Sequence, residues 1–149
     1  MAGYRTVVVG TDGSETSYRA VERAAVLAQD AHAALVIACA YAPEKPDPAA
    51  QDVLKDEGYQ VVGSAPAEDS LGRARDHAVG AGAVDVAIDT RALPGKAAES
   101  LIALVGELGA DLLVVGNRGL NTLAGRLIGS VPQDVVRHSP VDVLVVHTT

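Results

Sequence analysis

A glycine-rich stretch towards the end of the chain holds the residues with the clearest chemical purpose. Gly116 and Gly119 follow an apolar run, and Gly129 precedes Ser130. Because glycine has no Cβ and accepts a positive φ, such a stretch can turn close to a ligand. Ser130 and Gln133 have the spacing of a capping box at a helix start, where free N–H groups and the helix dipole favour a phosphate. The stretch predicts a phosphate-binding loop; the alternative is a set of tight turns without a ligand.

A second candidate position is the turn after the first apolar run, where Gly10, Thr11 and Asp12 follow one another. The carboxylate of Asp12 could accept a hydrogen bond from a sugar hydroxyl or hold a magnesium-bound water. It could equally cap the turn into the next helix together with Ser14. The residues alone leave both roles open.

The motifs of other phosphate sites and of common catalytic sites do not occur in the sequence. The Gly95-Lys96 pair is followed by alanine and lacks the earlier glycine of a Walker loop, and the first turn is not G-x-G-x-x-G. There is no G-x-S-x-G, H-E-x-x-H or C-x-x-C motif. The histidines fall on separate predicted elements: His32, His77, His138 and His147. We therefore predict no catalytic residue, and no metal site beyond an indirect magnesium contact of Asp12.

The periodicity of apolar residues predicts the elements that position these candidates. Short, β-branched apolar runs, typical of parallel strands covered on both faces, span residues 5–10, 34–41, 111–116 and 142–147. A further strand between residues 83 and 91 alternates apolar with acidic residues, which favours an edge strand with one wet face. Amphipathic helices are predicted over residues 14–31, 67–81 and 96–108, and another from Ser130. This alternation predicts an α/β fold with one open parallel sheet and helices on both faces.

Ligands of such a sheet bind outside the carboxyl ends of the strands, so the topology sorts the polar residues. The turns at Gly10–Asp12 and Gly116–Gly119 follow their strands and lie at this functional edge. Asp111 and Asp142 precede their strands. We expect these two carboxylates at the opposite edge, as solvated residues at strand starts.

Length and local composition predict the domain organisation. The chain has 149 residues, the length of one domain, and residues 1–149 are predicted to form a single domain. Residues 43–66 are rich in proline and charge and break the alternation of strands and helices. We interpret that segment as a mobile excursion with at most one helical turn.

Composition and charge exclude several classes of partner. The net charge is −7 and the basic residues are scattered, which argues against nucleic acid and anionic membranes. Without Phe or Trp, the core must consist of Val, Leu, Ile and Ala. The single Cys39 cannot form an internal disulfide, and neither a signal peptide nor an apolar run of membrane length is evident. These features predict a cytoplasmic protein.

Together these residues resemble the universal stress proteins of the UspA family. The similarity runs from "VVVGTDGS" through "LLVVGNRG" to "VDVLVVH" and so covers nearly the whole chain. Its most specific element is the nucleotide motif G-x2-G-x9-G-[ST], matched by Gly116, Gly119, Gly129 and Ser130. The resemblance implies a Rossmann-like sheet, similar to adenine nucleotide alpha hydrolases, with strand order 3-2-1-4-5.

In the ATP-binding branch of that family, the turn after the first strand and a residue near the end of the second hold adenosine, and the glycine motif holds phosphates. Carried over by position, the residues around the nucleoside are Gly10, Thr11, Asp12 and Ala40. Those around the ribose and phosphates are Val115, Gly116, Arg118, Gly119, Gly129, Ser130, Val131 and Pro132. The resemblance thus implies ATP or another adenine nucleotide as ligand, with magnesium accompanying ATP.

Pro132 departs from the family pattern, which often has a hydroxyl residue at this position. Proline offers neither a side-chain donor nor a backbone N–H, so the contact with the outer phosphates is weakened. AMP and cyclic AMP become candidate ligands beside ATP.

The leading hypothesis is a cytoplasmic stress protein that binds an adenine nucleotide as a sensor, reservoir or regulator. A slow ATPase of the same fold is one alternative, with Arg118 or Arg126 as the available arginine fingers. A nucleotide-free dimeric interaction module is the other, although the intact glycine motif counts against it. The family also pairs its last strands across a two-fold axis, which implies a homodimer through residues 141–147.

Overall fold

A computed structural model describes residues 3–43, 64–118 and 130–148. Within them, five parallel strands form one open sheet in the order β3-β2-β1-β4-β5. The strands are β1 (Thr6–Gly10), β2 (Ala34–Tyr41), β3 (Ile88–Pro94), β4 (Leu112–Gly116) and β5 (Asp142–Val146). The helices are α1 (Glu15–Ala31), α2 (Ser64–Gly80), α3 (Ala97–Leu108) and α4 (Ser130–His138). The fold class and strand order predicted above are confirmed, and no helix in these residues is long and apolar enough to cross a membrane.

Helices cover both faces of the sheet because successive strand residues point to opposite sides. Val7 and Val9 of β1 lie in a core cluster with residues of α1 and α2. Val8, between them, lies in a second cluster with residues of α3 and α4. Both clusters consist almost entirely of valine, leucine, isoleucine and alanine. The prediction of an aliphatic core is therefore confirmed for the described residues.

Two helix starts show how local chemistry sets the boundaries. Ser14 caps α1 as predicted, since its side-chain oxygen accepts a hydrogen bond of 3.2 Å from the backbone N–H of Ser17. Helix α2 begins at Ser64, inside the segment that the sequence predicted as an excursion. Pro66 fits there because the first turn of a helix does not use its N–H groups. The rest of the predicted excursion, residues 44–63, lies outside the described residues.

Strand β3 is the edge strand that the sequence predicted between residues 83 and 91, but the predicted boundaries were wrong, since the strand begins and ends later. It pairs with β2 only from Ile88 onwards and continues to Pro94. The side chain of Gln29 on α1 accepts hydrogen bonds of 3.1 Å from the backbone N–H groups of Val84 and Asp85. These donors are therefore used away from the sheet, and Val84 remains 65% exposed. The first residues of the alternating apolar and acidic pattern therefore lie in a turn that the Gln29 side chain stabilises, and not in the strand.

Acidic side chains accept hydrogen bonds at the edge of the sheet where the strands begin. Asp111 accepts hydrogen bonds of 3.0–3.1 Å from the backbone N–H groups of Arg5 and Thr6. Asp142 accepts a hydrogen bond of 2.9 Å from the hydroxyl of Tyr4. Both carboxylates lie opposite the functional edge, as expected. The view of them as merely solvated was wrong, because Asp111 joins the starts of β1 and β4.

Replacing Asp111 with alanine is expected to lower the free energy of unfolding by about 1–2 kcal/mol, since backbone donors lose a charged acceptor at a partly exposed site. Urea unfolding followed by circular dichroism would measure the loss. Tyr4→Phe is the control, because it removes one exposed side-chain hydrogen bond and should cost no more than about 0.5 kcal/mol. Equal unfolding midpoints for Asp111→Ala and the parent would contradict the bridging role.

Cys39 lies in β2 and is fully buried in the core. Burial raises the pKa of its thiol to about 11, and the negative charge of Asp12 contributes in the same direction. The thiolate, which is the reactive form, is therefore rare at neutral pH. Cys39 acts as a small apolar core residue.

Candidate functional site

The centre of the sheet contains a topological switch point. Strands β1 and β4 are neighbours, with Val9 paired to Val114. The chain leaves β1 for α1 on one face of the sheet, and α4, the next described helix after β4, packs on the other face. Because the connections diverge, a crevice opens between the carboxyl ends of these strands.

A cleft occupies this crevice, and we call it the switch-point cleft. Its cavity volume between the described residues is about 20 Å³, and the space continues into open solvent. Five residues predicted from the sequence line it: Gly10, Val115, Gly116, Arg118 and Val131. They come from the end of β1, the end of β4 with the turn after it, and the first turn of α4. The fold thus brings together residues that are far apart in the sequence.

Residues that sequence reasoning missed complete the lining: Thr16, Ser17, Leu101 and Thr148. Thr16 and Ser17 lie in the first turn of α1, directly after the turn at Gly10. The rule that ligands bind beyond strand ends could have found them. The predicted amphipathic helix over residues 96–108 did not single out Leu101 as a site residue, and no sequence signal marked Thr148.

The glycines of the cleft allow close packing and do not need a positive φ. A Cβ at Gly10 would lie 2.8 Å from Cδ1 of Leu101, and one at Gly116 would lie 3.2 Å from Cγ2 of Thr148. Neither residue is among the positive-φ glycines of the described chain, which include Gly13 in the first turn. Of the two properties expected to matter for glycine, the missing Cβ and the tolerance of a positive φ, only the missing Cβ applies at Gly116.

The side chains of Thr11 and Asp12 hold the turn after β1. Thr11 is fully buried; its hydroxyl shares a hydrogen bond of 2.6 Å with Ser17 and accepts one of 3.1 Å from the N–H of Gly13. Oδ1 of Asp12 accepts a hydrogen bond of 2.9 Å from the N–H of Ser14. The turn-capping role of Asp12 is therefore present in the structure. Neither residue lines the switch-point cleft, nor does Ala40 near the end of β2.

The glycine motif is described only at its two ends. Gly116 ends β4 and Arg118 follows it, whereas Gly119 and Gly129 lie outside the described residues. Ser130 was predicted to precede its helix, but α4 begins at Ser130 itself. Pro132 lies buried in the first turn of α4, a position that tolerates the missing N–H.

The lining suits an anionic ligand, although the chain is acidic overall. Of the described residues that line the cleft, Arg118 alone has a charged side chain, and it is a cation. Thr16 contributes a hydroxyl group, whereas the hydroxyls of Ser17 and Thr148 already donate to the Ser14 carbonyl and to Oδ1 of Asn117. The first turn of α4 adds its dipole. Within the described ranges, no three His, Cys, Asp or Glu residues are grouped to hold a metal ion. The cleft can bind phosphate and sugar groups through the Thr16 hydroxyl, backbone groups and one guanidinium.

Comparison with known proteins gives consistent results. The model of the universal stress protein family matches residues 3–147. The universal stress protein Rv1636 of Mycobacterium tuberculosis (strain ATCC 25618 / H37Rv) is 54% identical over 149 residues, 100% of each chain. A crystal structure of a universal stress protein in complex with cAMP is 46% identical, covers 99% of this chain and 100% of its own, and has a TM-score of 0.76. The universal stress protein from Archaeoglobus fulgidus in complex with dAMP, 18% identical over 97% of this chain and 98% of its own, has a TM-score of 0.65 and bears on the fold alone.

Proposed function

Because the chain belongs to the universal stress protein family, we propose that it binds an adenine nucleotide in the switch-point cleft. The observation that carries the proposal is the convergence at one cleft of glycine edges, the Thr16 hydroxyl and the Arg118 cation. A universal stress protein of 46% identity has been crystallised in complex with cAMP, which supports the same ligand class here.

The proposed contacts divide the site into two halves. Gly10 in the cleft lining, and Thr11, Asp12 and Ala40 outside it, surround the nucleoside. Thr11 contributes its backbone carbonyl, because its hydroxyl and its N–H are already bonded. The residues around the ribose and phosphates are Val115, Gly116, Arg118, Gly119, Gly129, Ser130, Val131 and Pro132. These residues contribute either backbone groups or, at Arg118, a positive charge that can approach an anion.

Pro132 favours nucleotides with few phosphates. It removes one backbone donor and offers no side-chain donor in the first turn of α4. An α-phosphate bound near Gly116 does not need that donor, whereas outer phosphates do. AMP and cyclic AMP are therefore the preferred ligands, and magnesium enters only with ATP, through its phosphates and an Asp12-bound water.

The bound nucleotide acts as a signal or a store in the cytoplasm, and its occupancy alters the partners of the protein. Among the residues of the cleft lining that the structure describes, none is a histidine, cysteine or carboxylate that would activate water. ATP hydrolysis is accordingly expected to be far below the ~1–10³ s⁻¹ typical of enzymes.

The second part of the proposal is a homodimer through the last strand, residues 141–147. β5 is an edge strand, and Val143, Leu144 and Val145 on it are only partly buried. An edge with unpaired backbone and apolar side chains needs cover, which a second copy of the same strand supplies. The protein then has two proposed partners: an adenine nucleotide at the switch-point cleft and a second subunit at the edge of β5.

Calorimetric titration with AMP, cyclic AMP and ATP, each with and without magnesium, tests the binding proposal. We expect one site per chain, with AMP or cyclic AMP bound at least as tightly as ATP, and a magnesium effect only for ATP. Absence of binding for all three nucleotides at millimolar concentration would refute the proposal.

The variant Pro132→Thr is expected to improve ATP binding about tenfold and AMP binding little, because it restores a hydrogen bond to an outer phosphate. The same titration measures the ratio of the two dissociation constants. Pro132→Ala is the control, since it restores the backbone N–H without the hydroxyl. An equal gain for AMP and ATP in both variants would show that position 132 does not distinguish the phosphates.

A further inference from the structure

The segment after β5 turns back into the functional edge of the sheet. The backbone N–H of Asn117 donates a hydrogen bond of 2.8 Å to the carbonyl of Val146, which extends the contact between the ends of β4 and β5. His147 is exposed, but Thr148 is only 1% exposed although it is polar. The burial of Thr148 needs an explanation in terms of its contacts.

Thr148 is held by side chains from two other elements. Its backbone N–H and its hydroxyl donate hydrogen bonds of 2.8 and 3.1 Å to Oδ1 of Asn117. Its carbonyl accepts a hydrogen bond of 2.9 Å from Nη1 of Arg19 on α1. Every polar group of Thr148 is thus paired, and α1, the turn after β4 and the segment after β5 are joined at one residue. We call this arrangement the Thr148 clasp.

The Thr148 clasp forms part of the wall of the switch-point cleft. Thr148 lines the cleft together with Gly116, and its Cγ2 lies 3.2 Å from where a Cβ at position 116 would be. The absent side chain of Gly116 thus leaves the space that the methyl group of Thr148 approaches. Arg19 and Asn117 are not among the described residues that line the cleft, and the side chains of both are hydrogen-bonded to Thr148.

We infer that Thr148 is a further residue of the nucleotide site, and that Arg19 and Asn117 are positioning residues that hold it against the ligand. This inference rests on the proposed function, since it names residues of the same site. A bound nucleotide stabilises the hydrogen-bonded position of Thr148 by some factor in its equilibrium constant. Holding Thr148 in that position raises the nucleotide affinity by the same factor, because coupling between two equilibria is reciprocal.

The variant Arg19→Met tests the positioning role because it keeps the length of the side chain and removes its donors. AMP affinity is expected to fall about tenfold, the effect of losing one charge-assisted hydrogen bond. Arg23→Met is the matched control: it removes the same charge from the exposed side of α1, one turn further on, and AMP affinity should change less than twofold. Arg19→Lys keeps a cationic donor and should recover most of the loss.

Amide hydrogen exchange measured by NMR provides a readout that a purely structural role would not change. Saturating AMP is expected to slow exchange of the Thr148 amide at least about tenfold in the parent, and less in Arg19→Met. The Val84 amide, which is bonded to Gln29 on the opposite side of the molecule, should exchange at the same rate with and without AMP.

The outcomes separate this inference from the proposed function. If the parent binds AMP but Arg19→Met and Arg23→Met bind it equally well, the positioning role is refuted and the nucleotide site stands. An unchanged Thr148 amide at saturating AMP refutes it as well. If the parent binds no nucleotide, the proposed function itself is wrong.

Discussion

The variant Gly116→Val is expected to weaken AMP binding by about two to four powers of ten, which is the effect of losing two hydrogen bonds to a charged phosphate. Gly116 ends β4 at the switch-point cleft, and its missing side chain leaves the space between the strand and Thr148. A valine there pushes into Thr148 and the cleft. Overpacking costs about 1–3 kcal/mol, within the ~5–15 kcal/mol stability of a typical domain, so the chain should still fold.

Gly106→Val provides the control for Gly116→Val. A Cβ at Gly106, on the exposed side of α3, meets no other atom within 4 Å. Both variants gain a β-branched side chain, but only Gly116→Val gains it at the cleft. Calorimetry would give the affinities, and urea unfolding would show that both variants fold. Parent-like AMP binding by a folded Gly116→Val would mean that the switch-point cleft does not bind the nucleotide.

The variant Val145→Pro is expected to convert the proposed homodimer into a folded monomer. In the β4–β5 ladder the carbonyl of Val146 accepts from Asn117, so Val146 faces β4 and Val145, next to it, directs its N–H to the open edge. A proline at position 145 therefore removes a donor that only a second subunit would use, whereas the contacts with β4 remain. Light scattering at micromolar concentration would show the mass fall by half.

Two further variants make the dimer experiment specific. Val145→Thr keeps the N–H and the preference for strand and should remain dimeric. Leu144→Pro removes an N–H that faces β4 and should destabilise the chain instead of dissociating it cleanly. A parent of monomeric mass would refute the homodimer, and a dimeric Val145→Pro would move the interface away from the outer edge of β5.

The order of elements and half of the cleft could be predicted because local signals agreed with the tertiary structure. The apolar runs at Val7–Val9 and Leu112–Val115 end in glycine, and the rule for parallel sheets brings those ends together. Ser14 signalled a helix start, and the structure has its cap at this position. These features depend on a few consecutive residues, which is why sequence reasoning could find them.

The features that sequence reasoning missed depend on side chains that bind backbone far away in the sequence. Gln29 holds the N–H groups of Val84 and Asp85, so an alternating pattern that looked like a strand starts as a turn. Asp111 similarly binds the start of β1, about a hundred positions earlier in the chain. Neither contact produces a periodic pattern or a local motif in the sequence. Thr148 belongs to the same class, since its burial depends on Asn117 and Arg19.

The burial of Cys39 makes the chain suitable for site-specific labelling. It is the only cysteine of the sequence, and its thiol is fully buried with a pKa raised to about 11. A cysteine introduced at an exposed position would therefore be the single thiol that a maleimide dye or a spin label reaches in the native protein. Val84 is such a position, since it is 65% exposed and lies in the turn before β3, outside the switch-point cleft and the β5 edge. A probe there would report distances within a dimer without changing the core, the nucleotide site or the subunit contact.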